Sequence, residues 1–215
     1  MANWLRRATI DTCIFNLETS YDNSTDKKKA FLHVFWNEFN GKRGFNKFNI
    51  TMAQHLEKPL ADKGVFEAFK KRIAEEGGDW NDPGMAADMI DNELSLVLDI
   101  AAELAPSLDK ESIRERIIKR DTNMSIERFG GELAAYLKDK GDDYRLILLA
   151  DEVSQFINKE RDRYLNLQEI ITKLSESCGN KVWVACTAQQ DLSEIMDDCH
   201  IVEEKDKKKK IKGRF

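Results

Sequence analysis

The sequence contains no long apolar run. Nothing in its 215 residues approaches the roughly 20 apolar residues of a membrane-spanning helix. The N-terminal MANWLRRATID lacks the apolar block that signal peptides carry. A membrane-spanning or exported chain is not expected; the cytoplasm is the expected compartment. Cysteine and histidine are scarce. Cys13, Cys178, Cys186 and Cys199 form no CxxC pair, and His33, His55 and His200 complete no zinc pattern. Reduced thiols are expected, with Cys13 and Cys186 as small apolar fillers in predicted strands. Also absent is GxxxxGK[ST]. Gly130-Gly131 is not followed by Gly-Lys-Ser/Thr, and Gly179-Asn180-Lys181 leads into a predicted strand. A phosphate cradle needs backbone N–H groups at a helix start and a lysine. Tight ATP binding by these residues alone is therefore not expected.

A broad basic surface is missing as well. The net charge is −5, and it is unevenly spread. Residues 203–215 hold seven Lys and Arg against Glu203, Glu204 and Asp206, a net of +4, which leaves −9 for the rest. An acidic body argues against wide phosphate contact. The basic tail is a candidate DNA contact; a solvated end is the plainer reading of such a run.

What is present is a core. Apolar residues make up 41% and charged residues 34%, which suits one large α/β domain with many exposed helix faces. The chain is organised around RLILLADEVSQFI, residues 145–157. Five apolar residues, 146–150, lead into Asp151 and Glu152. A run with no polar face predicts a strand buried on both sides. Carboxylates at its C-terminal edge sit where parallel sheets carry their chemistry. One acid can hold a Mg²⁺ shell and the next can orient or deprotonate water, as in a Walker B element. A buried strand ending in a solvated acidic turn is the plainer alternative.

Other strands are expected at 9–17 and 181–187. The spacing of Phe31, Leu32, Phe35, Trp36 and Phe39 predicts a helix over 27–39 with one buried stripe, capped by Thr25 or Asp26 and stopped by Gly41. Further helices are expected over 50–60, 62–76, 85–104, 109–119, 125–138, 163–177 and from 191. Gly130 and Gly131 weaken the 125–138 helix by about 1 kcal/mol each relative to alanine. The residues between the first strand and the Asp-Glu strand greatly exceed an ordinary crossover, so 27–140 is expected to be a helical insertion. Strand, helix and strand over 145–187 make a right-handed βαβ unit with parallel strands. Its geometry brings Thr187, Gln189 and Gln190 to the edge that carries Asp151 and Glu152. A polar group there can position the water that the glutamate activates. A helix cap by Thr187 or Asp191 is the alternative, and both can hold.

ADEVSQFI, RYLNLQEIITKLSESCGNKVWVACTAQQDL and KIKGRF resemble the large P-loop ATPases of BREX phage-defence systems, the BrxC/PglY family. IDTCIFNLE, DKKKAFLHVFWNEFNGKRGF, AQHLEKPLADKGVFEAFK and SIERFGGELAAYL resemble the same family, so the likeness runs from Ile10 to Phe215. It implies an α/β fold: a partial P-loop NTPase sheet of the additional-strand, AAA+-like kind, carrying a large helical insertion. Residues 1–215 would be part of an ATPase domain, with 27–140 inserted and 203–215 a basic tail. The family's P-loop precedes the matching segment, so the chain is expected to be an internal piece that is inactive alone. By resemblance Asp151 is the Mg²⁺-side acid, Glu152 the catalytic glutamate, and Thr187 with Gln189 the sensor region. Arg214 is the candidate arginine finger, a plain loop arginine being the alternative. ATP and Mg²⁺ are the implied cofactors and other BREX proteins the implied partners. A different class of function is a helical module, residues 30–140, that binds a protein of the defence complex, with the aromatics Phe45, Phe48 and Trp80 as candidate contacts. The strand edge at 182–185 would border the missing P-loop strand, and self-association through it, or cover by the C-terminal tail, is expected.

Overall fold

The structure is a computed structural model that describes residues 8–20, 26–82, 91–190 and 194–195. In chain order its elements are β1 (Thr9–Asn16), α1 (Leu17–Ser20), α2 (Ala30–Lys42), α3 (Ile50–Met52), a π-helical turn (Ala53–Glu57), α4 (Lys58–Asp62), α5 (Phe66–Glu75), α6 (Asp91–Leu104), α7 (Lys110–Ile118), α8 (Ile126–Lys138), β2 (Tyr144–Asp151), α9 (Val153–Ile157), α10 (Arg161–Cys178) and β3 (Val182–Cys186). The chain is α/β. It forms two compact units, one of Met1–Glu38 with Met124–Phe215 and one of Phe39–Asn123. The stretch read as one insertion over 27–140 is thus divided, its two ends belonging with the sheet. Among the described residues no helix is long and apolar enough to cross a membrane.

In the first unit the three strands form one parallel sheet in the order β1-β2-β3. The register places Cys13 beside Leu148 and Val184, and Phe15 beside Ala150 and Cys186. Side chains alternate across a strand, so these rows share one face. That face is closed: Phe15, Leu146, Leu148 and Ala150 are buried. Phe35 of α2 meets the Phe15 ring edge-on at 5.2 Å. The opposite face differs from expectation. Along β2 burial alternates strictly, with Arg145, Ile147 and Leu149 only half-buried. Ile14 is 67% exposed, Ile10 47% and Trp183 46%. The unbroken apolar run does not mean burial on both sides, because no described helix closes this second face.

Helix α2 is likewise broader in burial than one stripe. Phe31, Leu32, Val34, Phe35, Trp36 and Phe39 are all buried, and so are the polar Asn37 and Asn40. Asp26 caps the turn before it, accepting from the Lys28 N–H at 3.0 Å. The helix runs through Gly41 to Lys42. Gly44, at φ +79°, makes the left-handed stop, and the Phe45 N–H returns to the Asn40 carbonyl at 2.9 Å. Helix α10 lies along α8 and carries a buried asparagine, Asn166, whose Oδ1 accepts the Leu32 N–H at 3.1 Å.

The second unit has its own core of Met52, Leu56, Leu60, Phe66, Phe69, Ile73, Trp80, Leu94, Val97 and Leu98. The helix expected over 50–60 is interrupted by the π turn, whose five residues are all buried. Phe66, Phe69 and Ile73 recur at three and four along α5 and face inward as their spacing requires.

Candidate active site

Parallel pairing carries Asn16, Asp151 and Thr187 to one rim. Asn16 ends β1 directly beside Asp151, which ends β2. Thr187 follows β3 and continues its ladder, its N–H donating to the Ala150 carbonyl at 3.0 Å. The Thr187 hydroxyl donates to Asp151 Oδ1. The same Oδ1 accepts the Glu152 N–H at 3.0 Å, and Thr187 Oγ1 accepts that N–H at 3.0 Å as well. The Val153 N–H then bonds the Thr187 carbonyl at 3.0 Å. These bonds fix the junction between β2 and α9 to the end of β3.

Glu152 is the hinge of that junction. Its backbone is left-handed, φ +59° and ψ +37°, a region that costs a non-glycine residue about 1–2 kcal/mol. Strain of this kind marks sites where surrounding contacts over-determine a residue. The twist starts α9 and leaves the carboxylate at the rim. Oε2 accepts from Asn16 Nδ2 at 2.8 Å, and Asn16 Oδ1 accepts the Glu18 N–H at 3.0 Å. Asn16 is thereby held at both ends of its amide. Beyond these bonds Asp151 Oδ2 and Glu152 Oε1 accept nothing among the described residues.

Of the residues singled out in the sequence, Asp151, Glu152 and Thr187 come together. Thr187 engages the Asp151 carboxylate and the Glu152 N–H with the hydroxyl that a helix cap would use. Gln189 is tied nearby by its backbone, its N–H donating to Ser154 Oγ at 3.1 Å. It lines a separate depression of about 280 Å³ with Gln190, Ser154, Gln155, Asn158, Lys159 and Ile195. Arg214 and the 203–215 tail lie outside the described residues. Asn16 is the site residue that sequence reading misses; its only signal is its place at the end of a strand whose neighbour ends in the acids. Below the rim, burial pushes the Cys186 thiol up to about 12, so this cysteine is a filler rather than a nucleophile.

The donor set is all oxygen: two carboxylates and a hydroxyl. It suits a hard cation such as Mg²⁺, held through water by one or two carboxylates. Among the described residues no three His, Cys, Asp or Glu side chains converge as an all-protein metal cage would require. No protein-family model matches the chain, and no solved structure matches it.

Proposed function

We propose that this rim is the hydrolytic half of a nucleotide site, in a P-loop ATPase of the BREX phage-defence kind, the BrxC/PglY family, with an additional-strand, AAA+-like sheet. One observation supports the reading above the others. Adjacent parallel strands bring two acids, a hydroxyl and an amide into one hydrogen-bonded group at their C-terminal ends. Asp151 would hold Mg²⁺ through water with Oδ2, since Oδ1 is engaged by Thr187 and the Glu152 N–H. When bound, the ion supplies charge neutralisation at the phosphates. Glu152 Oε1 is the atom that takes the proton of the attacking water, while Asn16 fixes the carboxylate plane through Oε2. Thr187 locks Asp151 in place; Gln189, expected to position water beside it, lines the neighbouring depression instead and is given no step.

The phosphate cradle is assigned to a P-loop upstream of the matching segment. ATP binding measured by calorimetry is expected only in a chain extended to include it. In that longer protein Glu152→Gln is expected to lower hydrolysis by roughly 10²–10⁴-fold. Unchanged turnover would remove Glu152 from the mechanism. The outer edge of β3 is then the pairing surface for the P-loop strand, or for a second copy when that strand is lacking. A second reading assigns Phe39–Asn123 to binding another protein of the defence complex. It rests on Phe48, Leu96 and Ile118, large apolar side chains exposed in that unit; of the aromatics expected to make the contact, Trp80 is buried in the core and Phe45 packs against it.

A further inference from the structure

We propose that Glu57 is a proton-operated latch of the Phe39–Asn123 unit. Its protonated carboxyl holds the 44–49 turn and Trp80 closed, and loss of the proton loosens them. The geometry comes first. Glu57 ends the π turn and is 1% exposed. Its two oxygens accept from two separate segments: Oε2 from the Asn46 N–H at 2.7 Å and Oε1 from Trp80 Nε1–H at 2.7 Å. A carboxyl end offers two oxygens in this fork, and on protonation the hydroxyl oxygen keeps a lone pair for its N–H donor. Asn46 in turn organises its own turn, its Oδ1 accepting the Phe48 and Asn49 N–H groups at 2.8 and 2.6 Å. Asn49 Oδ1 then caps α3, accepting from the Met52 N–H at 3.0 Å. The start of the helix is therefore fastened by a residue about two turns along it. Trp80 fastens the other side, its ring meeting Phe69 edge-on at 4.8 Å in the core.

The chemistry of the buried group sets the direction. The charged groups that act on it are Lys70 of α5 and Arg43 beyond α2, and both favour the carboxylate, as do the two N–H donors. Burial outweighs them and pushes the Glu57 carboxyl from 4.5 up to about 7. Once the turn opens, water reaches the carboxyl and its value returns toward 4.5. The closed form then binds the proton more tightly than the open one. By linkage, opening becomes about tenfold easier per pH unit between 4.5 and 7, roughly 300-fold in all, and is flat outside that window. Acid tightens the latch.

The test uses the full chain and nuclear magnetic resonance. The carbon-13 shift of the Glu57 carboxyl should titrate near 7. Exchange of the Asn46 amide and the Trp80 indole N–H, corrected for intrinsic chemistry, should accelerate through the same window. In Glu57→Gln this acceleration should vanish. A carboxyl titrating near 4.5 overturns the proposal, and so does corrected exchange that stays flat in the parent chain or rises equally in Glu57→Gln. Should Glu57→Gln fail to fold, the carboxyl titration of the parent chain decides alone.

Discussion

Adjacent glycines on α8 should respond in opposite ways to the same added methyl. A helix-interior glycine costs about 1 kcal/mol relative to alanine, and both Gly130 and Gly131 lie inside the 13-residue helix. At Gly131 a Cβ would meet nothing within 4 Å. Gly131→Ala is therefore expected to stabilise by about 1 kcal/mol. At Gly130 a Cβ would lie 2.8 Å from Ser177 Oγ, 3.3 Å from Ser177 Cβ and 3.4 Å from Lys173 Cγ, all on α10. The serine oxygen can rotate away; its Cβ cannot move without moving the helix. Overpacking of this kind costs about 1–3 kcal/mol, which cancels or exceeds the gain in propensity. Gly130→Ala should thus be neutral or destabilising by up to about 2 kcal/mol. The two variants should differ by about 1–3 kcal/mol. Urea unfolding measures this directly if the slope stays constant. Ser177→Gly, which removes that Cβ, should couple to Gly130→Ala by at least about 0.5 kcal/mol in a double-mutant cycle. Equal shifts from the two glycines would refute the close approach of α8 and α10.

Two further outcomes are expected. Asn16→Ala removes the bonds to Glu152 and to the Glu18 N–H and should cost about 1–2 kcal/mol in the same urea assay; a change under about 0.3 kcal/mol would mean that water substitutes fully. Cys178 and Cys186 should resist iodoacetamide at pH 8, because burial raises their thiols to about 11 and about 12, leaving a thiolate fraction of about 10⁻³ or less. Peptide mapping by mass spectrometry that finds either one labelled rapidly in the native protein contradicts this.

The sheet was the most legible part of the sequence. Apolar runs bounded by polar turns located all three strands to within two residues. The helix between two of them, long enough for a crossover, made the pairing parallel. Four things escaped for physical reasons. The five residues of α9 are too few to show a period, and the helix begins from a strained residue that no local rule anticipates. The closed and open sides of β2 are both apolar, so pattern alone could not tell which side a helix covers. Glu57 reads as a surface residue in AQHLEKPL, because a π turn rotates positions out of the ordinary helical period and turns all five of its residues inward. Asn16 needed the register, which is a long-range fact. At the candidate site the acids and Thr187 were within reach of sequence reasoning because strand ends of one βαβ unit must share a rim. Their hydrogen bonds were not, since those depend on rotamers.

The backbone at Glu152 separates what the fold prefers from what the rim displays. Glycine would sit in that left-handed conformation without penalty, yet it would carry no oxygen to the strand ends. Selection acting on sturdiness alone would drift toward glycine or asparagine at this position. An acid that persists there despite its conformational cost would register a demand from outside the fold. Under the proposed hydrolytic role, tolerance to substitution at position 152, scored separately for folding and for hydrolysis by the longer protein, should give opposite rankings.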